Sequence, residues 1–448
     1  MSKIKLKSQQ GKKIGIFGLG LTGCSAFSAL DEIAQTILCW DDSQVNRDKF
    51  ISQFGSSPLM DITEKAWQSL DKIIISPGVP PGHGIYSLIK QHNILISSDI
   101  ELFIEENPKS KIIAITGTNG KSTTTALIGH ILHESGLDYH FGGNIGLPVL
   151  MLPQKAEGYV LELSSFQIDL LHNFNPFISI LLNITEDHLD RYGTFEEYSK
   201  SKFRAFEGDG IKIIGIDSDK SQEFYKSLRR KGERKLIPIT TNSSDEGVSC
   251  NARKLTDTFF NHDSYTIPEL RYLSGKHNQE NIAASFAACR ALGVAPLEII
   301  KHISSFTGLK HRMQYLGTKN NISFYNDSKA TNATSAACSL ISLSNIFWLA
   351  GGIFKEKSLS PIDFALKNVT KAYLFGKDKL LFAKYLENKV EYRICMNMSE
   401  AFEYAVKEAQ MIKENSNILL APACASYDQF KNFEDRGNQF IELYDTTK

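Results

Sequence analysis

Short apolar runs alternate with small, polar and helix-like stretches along the whole chain. Near the N-terminus, residues 14–17, 36–40 and 72–75 read as buried strands, and the first leads through glycines into a helical stretch over 24–30. The pattern returns at 112–116, 159–163 and 177–182. A helix rich in Thr, Ala, Leu and Ile opens at Lys121, and residues 278–292 read as another helix. A third round follows at 322–325, 346–349, 371–375 and 418–421, with a helix over 399–413. Strands alternating with helical segments predict parallel sheets flanked by helices. Three units are expected, with boundaries near Pro108 and Leu309. Residues 221–273 are polar and patchy and predict no clear element.

Composition narrows the class. At roughly 150 residues per domain, 448 residues allow about three domains. The hydrophobic share of 42% and charged share of 22% exclude wholesale disorder and fibrous chains. Lys+Arg and Asp+Glu are both 50, which argues against coating nucleic acid or a membrane by bulk charge. No run approaches the ~18 apolar residues of a membrane helix. The basic N-terminus is followed by Gly18, Gly20 and Gly23, a poor signal-peptide core. Seven scattered cysteines without a CxxC pair predict a reducing cytoplasm and no structural zinc.

The strongest chemical signal is Gly117, Thr118, Asn119, Gly120, Lys121, Ser122, Thr123 and Thr124 between a strand and a helix. Such a turn aims backbone N–H groups and the positive helix end at a phosphate. Lys121 can reach β- and γ-phosphates, and a Ser122 or Thr123 hydroxyl can hold Mg²⁺. The loop is shorter than the strict G-x-x-x-x-G-K-[ST], because Ile115 stands at its first glycine. Gly18 to Gly23 fits G-x-G-x-x-G, with Asp41 at a later strand end. That pattern means either approach to a nucleotide phosphate or tight helix packing. Glu162 and His188 follow strands at the ligand edge of an open sheet and can hold Mg²⁺. Lys202, the run 274–281, His311-Arg312, the run 326–332 and the run 423–433 are each ambiguous alone.

Together these runs resemble the Mur ligase superfamily. TGTNGKST, NITEDHLDRYG, GKHNQEN, HRM and NDSKATN carry the resemblance, and ELSSFQ with PACASYDQFKNFEDRGNQF resembles the branch that adds D-glutamate. The resemblance implies three α/β domains: a Rossmann-like UDP-substrate domain (1–100), a central P-loop ATPase domain (101–308) and a Rossmann-like amino-acid domain (309–448). It implies ATP, two Mg²⁺ and a carbamylated Lys202, with UDP-N-acetylmuramoyl-L-alanine and D-glutamate as the joined partners. Lys121, His188, Lys202 and Arg312 would be catalytic. Ser122, Glu162, His188 and Lys202 would hold metal. Asn278, Asn281, His311 and Asp327 would meet adenosine. Leu21, Thr22, Asp41, Asn144 and Gln167 would meet the UDP-substrate, and Thr331, Lys355, Ser426 and Phe433 D-glutamate. A cytoplasmic bacterial monomer, with no nucleic-acid partner and no membrane insertion, is expected. The chain departs from the family at Asp42-Ser43, where a Thr-Arg pair is common, and at the GGIFKEKS segment.

Overall fold

The computed structural model describes all residues except 1–3, 173, 271, 272, 274, 356, 357, 413 and 448. They form two compact units: Met1–Glu269 with Lys276–Phe306, and Leu270–Gly275 with Thr307–Lys448.

The first unit holds two sheets. The N-terminal one contains β1 (Lys13–Phe17), β2 (Thr36–Trp40), β3 (Lys72–Ile75) and β4 (Leu95–Ser97) in the order β2-β1-β3-β4, all parallel. Lys72–Ile75 is buried throughout, as a parallel strand covered on both faces requires. The helix after β1 begins at Leu21, a turn earlier than its apolar pattern implies. It can do so because Gly23 has no side chain: a Cβ there would stand 2.0 Å from the Gly18 carbonyl oxygen.

The central sheet contains β5 (Lys111–Thr116), β6 (Tyr139–Gly143), β7 (Gly158–Glu162), β8 (Ile178–Leu181), β9 (Ile211–Gly215), β10 (Leu236–Thr240), β11 (Val248–Asn251), β12 (Lys254–Asp257) and β13 (Asp263–Thr266). Their order is β13-β12-β11-β10-β9-β8-β5-β7-β6. Strands β6 to β11 are parallel, and β12 and β13 add an antiparallel edge. The stretch 221–273 thus supplies most of the helix Asp219–Arg230 and four strands; its residues 271 and 272 lie outside those described. One apolar core joins both sheets, with Ile14, Ile16 and Ile74 on one side and Ile112, Tyr159 and Leu161 on the other. The helix Asp99–Glu106 lies in that core, and Phe103 meets Tyr159 edge-on at 4.6 Å.

The second unit has one six-stranded sheet: β14 (Gln314–Lys319), β15 (Ile322–Asn326), β16 (Ile346–Gly351), β17 (Val369–Phe375), β18 (Tyr392–Ile394) and β19 (Ser416–Leu420). The order is β14-β15-β19-β16-β17-β18, parallel except for β14. Along β16, Ile346, Trp348 and Ala350 enter one core while Phe347 and Leu349 enter the other, the period of two that buries both faces. The helix expected over 399–413 spans Met398–Ala409, and residue 413 lies outside those described.

Candidate active site

The phosphate-type loop begins where β5 ends. Gly120 caps the helix Lys121–Glu134 in the left-handed region at φ 82°, and a Cβ there would fall 2.3 Å from Asn281 Oδ1. Glycine is therefore required twice over. The loop is fastened from the β8 side. Thr118 N–H donates to the Asn183 carbonyl at 2.9 Å, and Asn119 N–H to Asn183 Oδ1 at 2.9 Å. Asn183 Nδ2 in turn donates to Glu280 Oε2 at 2.7 Å. Burial pushes the Glu280 carboxyl up to about 7, against the lowering effect of that bond, with the Asp217 charge adding to the rise. Lys121 Nζ donates to the carbonyls of Gly117 (2.9 Å) and Thr118 (2.8 Å), which holds the ammonium over the loop. Thr124 Oγ1 donates to Asn281 Oδ1 at 3.1 Å, and Asn281 Nδ2 to Asn278 Oδ1 at 2.9 Å. Ser122 is buried in the first helical turn, with Thr123 beside it. Sequence reasoning did not assign Asn183 or Glu280, although both lie inside runs it singled out.

A cleft of about 530 Å³ opens beside this loop. It brings together Lys121, Leu21, Thr22, Asn144, Gln167, His188 and Lys202, which come from both sheets of the first unit. Gln167 completes a capping box for the helix Ser165–Ile168: its Oε1 accepts the Ser164 N–H at 3.0 Å. The oxygen is thereby committed and the amide N–H groups are left to the cleft. His188 sits in the left-handed region at φ 52°, half exposed, with Nε2 3.5 Å from Asp187 Oδ2 and its ring 4.8 Å from Phe166. Lys202 is only 2% exposed, and its Nζ stands 4.7 Å over the Tyr198 ring. Burial lowers its pKa to about 7, and the Lys121 charge adds to the fall. An amine in that state is a nucleophile near neutral pH.

One expected residue stands apart from this cleft. Asp41 does not line the cleft. Its Oδ2 accepts from Leu19 N–H (2.6 Å) and Asn46 Nδ2 (3.0 Å), and its Oδ1 from Ser43 N–H (2.8 Å). It braces the glycine turn, and the Leu19 N–H is not offered to a phosphate. Oδ2 of the departing Asp42 lies within hydrogen-bond distance of His83 Nε2, at 3.0 Å, while the Arg47 guanidinium lies 4.4 Å over the Trp40 ring.

Glu162 closes β7 and is 2% exposed. Its Oε1 accepts from Asn144 Nδ2 at 2.8 Å, but its buried Oε2 has no hydrogen-bond partner among the described residues. A carboxylate oxygen buried without a donor fits a cation ligand. Among the described residues, no group of three or more His, Cys, Asp or Glu gathers as a metal cluster.

The second unit carries the other expected residues. His311 is buried at φ 62°, with Nδ1 3.1 Å from Asn326 Nδ2, and burial lowers its pKa. Arg312 is exposed. Asp327 is buried; its Oδ1 accepts the Met313 N–H at 3.1 Å and its Oδ2 accepts from Ser339 Oγ. It therefore fixes the backbone next to Arg312, while desolvation raises its pKa. Lys355 Nζ lies 5.3 Å over the Tyr427 ring, and Ile353 pairs with Ala425, so Lys355 and buried Ser426 belong to neighbouring loops. Thr331 and Phe433 are half-buried, and Lys329 Nζ stands 3.9 Å over the Phe433 ring. Fully buried Arg436, unassigned from sequence, ties these loops together. It donates to Ser328 Oγ (2.9 Å), Ser328 O (2.8 Å) and Cys424 O (3.1 Å).

A strand–glycine loop–helix unit at the ligand edge of a parallel sheet defines a nucleotide-binding α/β protein. Residues 115–289 match the Mur ligase middle domain and residues 311–424 the Mur ligase glutamate ligase domain. The chain belongs to the Mur ligase family, which makes peptidoglycan precursors with ATP and Mg²⁺. It is 48% identical over 440 residues to the UDP-N-acetylmuramoylalanine–D-glutamate ligase of Rickettsia bellii, covering 97% of this chain and 98% of that one. The enzyme of the same name from Agrobacterium fabrum is 40% identical, covering 98% and 96%. The solved UDP-N-acetylmuramate–alanine ligase of Thermotoga maritima shares the fold, with TM-score 0.61 at 16% identity over 98% of this chain and 100% of that one.

Proposed function

We propose that this chain is an ATP-dependent amide ligase that joins D-glutamate to UDP-N-acetylmuramoyl-L-alanine through an acyl phosphate. The observation that carries the reading is the single cleft that gathers Lys121 with Leu21, Thr22, Asn144 and Gln167. A carboxylate resists an amine because its leaving group would be oxide. Transfer of the γ-phosphoryl group to the alanyl carboxylate releases ADP and makes an acyl phosphate. The D-glutamate amine attacks that carbonyl, a tetrahedral intermediate forms, and phosphate leaves as the amide closes.

Phosphoryl transfer needs alignment and charge neutralisation more than covalent help. Lys121 is held at the loop for that purpose, and Arg312 supplies a planar fork for phosphate oxygens. Ser122 and Glu162 would hold one Mg²⁺, and His188 a second together with a carbamylated Lys202. Bound Mg²⁺ screens phosphate charge and polarises the acceptor carboxylate. Burial lowers the Lys202 amine to about 7, so the neutral form that reaction with CO₂ requires is accessible near neutral pH. The proposed division of labour is UDP-substrate at 1–100, ATP at 101–308 and D-glutamate at 309–448, through Thr331, Lys355, Ser426 and Phe433. Asn278, Asn281 and His311 are proposed at adenine and Asp327 at ribose, with Asp41 bracing the UDP-substrate loop. A monomer in the bacterial cytoplasm, where ATP and UDP-linked precursors are held, fits the seven free cysteines.

The test is phosphate release with one component omitted at a time. Release should require ATP, Mg²⁺, UDP-N-acetylmuramoyl-L-alanine and D-glutamate together, and L-glutamate should not replace the D-isomer. ATP splitting without amide formation sinks the reading.

A further inference from the structure

The proposed active site lies beyond the C-terminal ends of the central strands. A second cleft, about 710 Å³, opens at the opposite edge, where β5, β8, β9 and β10 begin. Ligand clefts commonly span ~300–1,000 Å³. Its charge is one-sided in a chain of zero net charge: Lys109, Lys111, Arg234, Lys235 and Arg290 face one acid, Asp209. Two of the five cations are engaged in hydrogen bonds. Arg290 donates to Val294 O (2.8 Å) and Asn261 Oδ1 (3.0 Å), and Lys235 donates to Asp209 O (3.1 Å). Lys109, Lys111 and Arg234 have no ion-pair partner among the described residues.

Aromatic surface stands in the same walls. Phe177 and Phe259 line the cleft while 37% and 41% exposed. The Lys111 ammonium lies 4.8 Å over the Phe177 ring, so cation and π-surface are offered at one place. An exposed ring gains by covering a flat partner, and unpaired cations gain by meeting an anion. One molecule with a planar ring and a phosphate satisfies both. We propose that this cleft is a second nucleotide site, taking a nucleoside phosphate with its base against Phe177 and Phe259 and its phosphate among Lys109, Lys111 and Arg234. Lys111 also opens β5, whose other end leads into the loop at Gly117, so the two sites share a strand.

Equilibrium dialysis of the full chain with radiolabelled ADP tests this, with ligase turnover measured in parallel. The unaltered chain should take up a second equivalent beyond the loop's. Lys111→Glu and Phe177→Ala, both at exposed positions outside the proposed machinery, should each remove that equivalent and leave turnover within about twofold. Lys121→Ala should remove the other equivalent only, so a failure of the ATP reading and a failure of this one give different patterns. Uptake of a single equivalent by the unaltered chain overturns the proposal. So does a second equivalent that survives in both cleft variants.

Discussion

Glu280→Ala isolates the contact that sets the phosphate loop's shape. Glu280 Oε2 accepts from Asn183 Nδ2 at 2.7 Å, and Asn183 Oδ1 accepts the Asn119 N–H at 2.9 Å. Without the carboxylate, a partly buried amide N–H loses its partner at ~1–3 kcal/mol. Rotation of the amide relieves that cost but releases the Asn119 backbone. At about 2 kcal/mol, kcat/KM for ATP should fall roughly 30-fold. KM for the UDP-substrate should hold, since Leu21, Thr22, Asn144 and Gln167 lie on other elements. Glu280→Gln keeps an oxygen acceptor and should stay within about threefold of the parent chain. The Gln variant also reports on burial. Glu280 rises from 4.5 to about 7 on folding. Its stabilising proton is therefore fully bound below pH 4.5 and lost as pH climbs through 7. Gln does not titrate, so unfolding free energies should swing by about 3 kcal/mol in favour of Glu280→Gln across that window. Steady-state kinetics and urea unfolding at several pH values are the assays. Unchanged ATP kinetics in Glu280→Ala, with only a lower melting temperature, refutes the relay; so does a parallel rise in both substrates' KM.

Three further outcomes are expected. Incubation with ¹³C-bicarbonate above pH 7, where the Lys202 amine is mostly neutral, should give a carbamate NMR signal that Lys202→Arg lacks; Lys202→Ala should lose activity and regain part of it with acetate, and neither signal nor rescue removes the modification. Glu162→Gln should raise the Mg²⁺ half-saturation concentration at least ~10-fold; without metal it should not lower the melting temperature, because the oxygen it replaces has no partner among the described residues, and a marked loss of metal-free stability contradicts the ligand role. Arg436→Met removes three hydrogen bonds that join Ser328 to Cys424; it should cost about 3 kcal/mol in urea unfolding and raise KM for D-glutamate over that for ATP, and equal rises in both argue against loop positioning.

Local pattern carried much of the fold. The runs 36–40 and 72–75 coincide with β2 and β3; β3, buried throughout, shows why, since a strand covered on both faces reads as an apolar run whatever surrounds it. The stretch 221–273 resisted for the opposite reason. Asp263–Thr266 is an edge strand exposed along nearly all its length, and the helix Asp219–Arg230 buries only Ser221, Tyr225 and Leu228. Such elements are held by neighbours and carry little pattern of their own. The loop at 117–124 was legible because glycine, lysine and hydroxyl residues must be adjacent in the chain to cradle a phosphate. Asn183, Glu280 and Arg436 were not, because their work is to reach across to it or to one another.

By itself the order of residues determined the alternation of strands and helices, the phosphate-type loop and the candidate groups around it, all of which rest on short-range sterics and hydrogen bonding. Only the tertiary structure decided that Lys121 and Lys202 share a cleft with Leu21 and Thr22, that the Lys202 amine sits near neutrality, that Glu162 keeps a buried oxygen unpaired, and that Asp41 and Asp327 brace backbone. Desolvation and pairing act through space, between groups on different elements of the fold, and no local pattern encodes them.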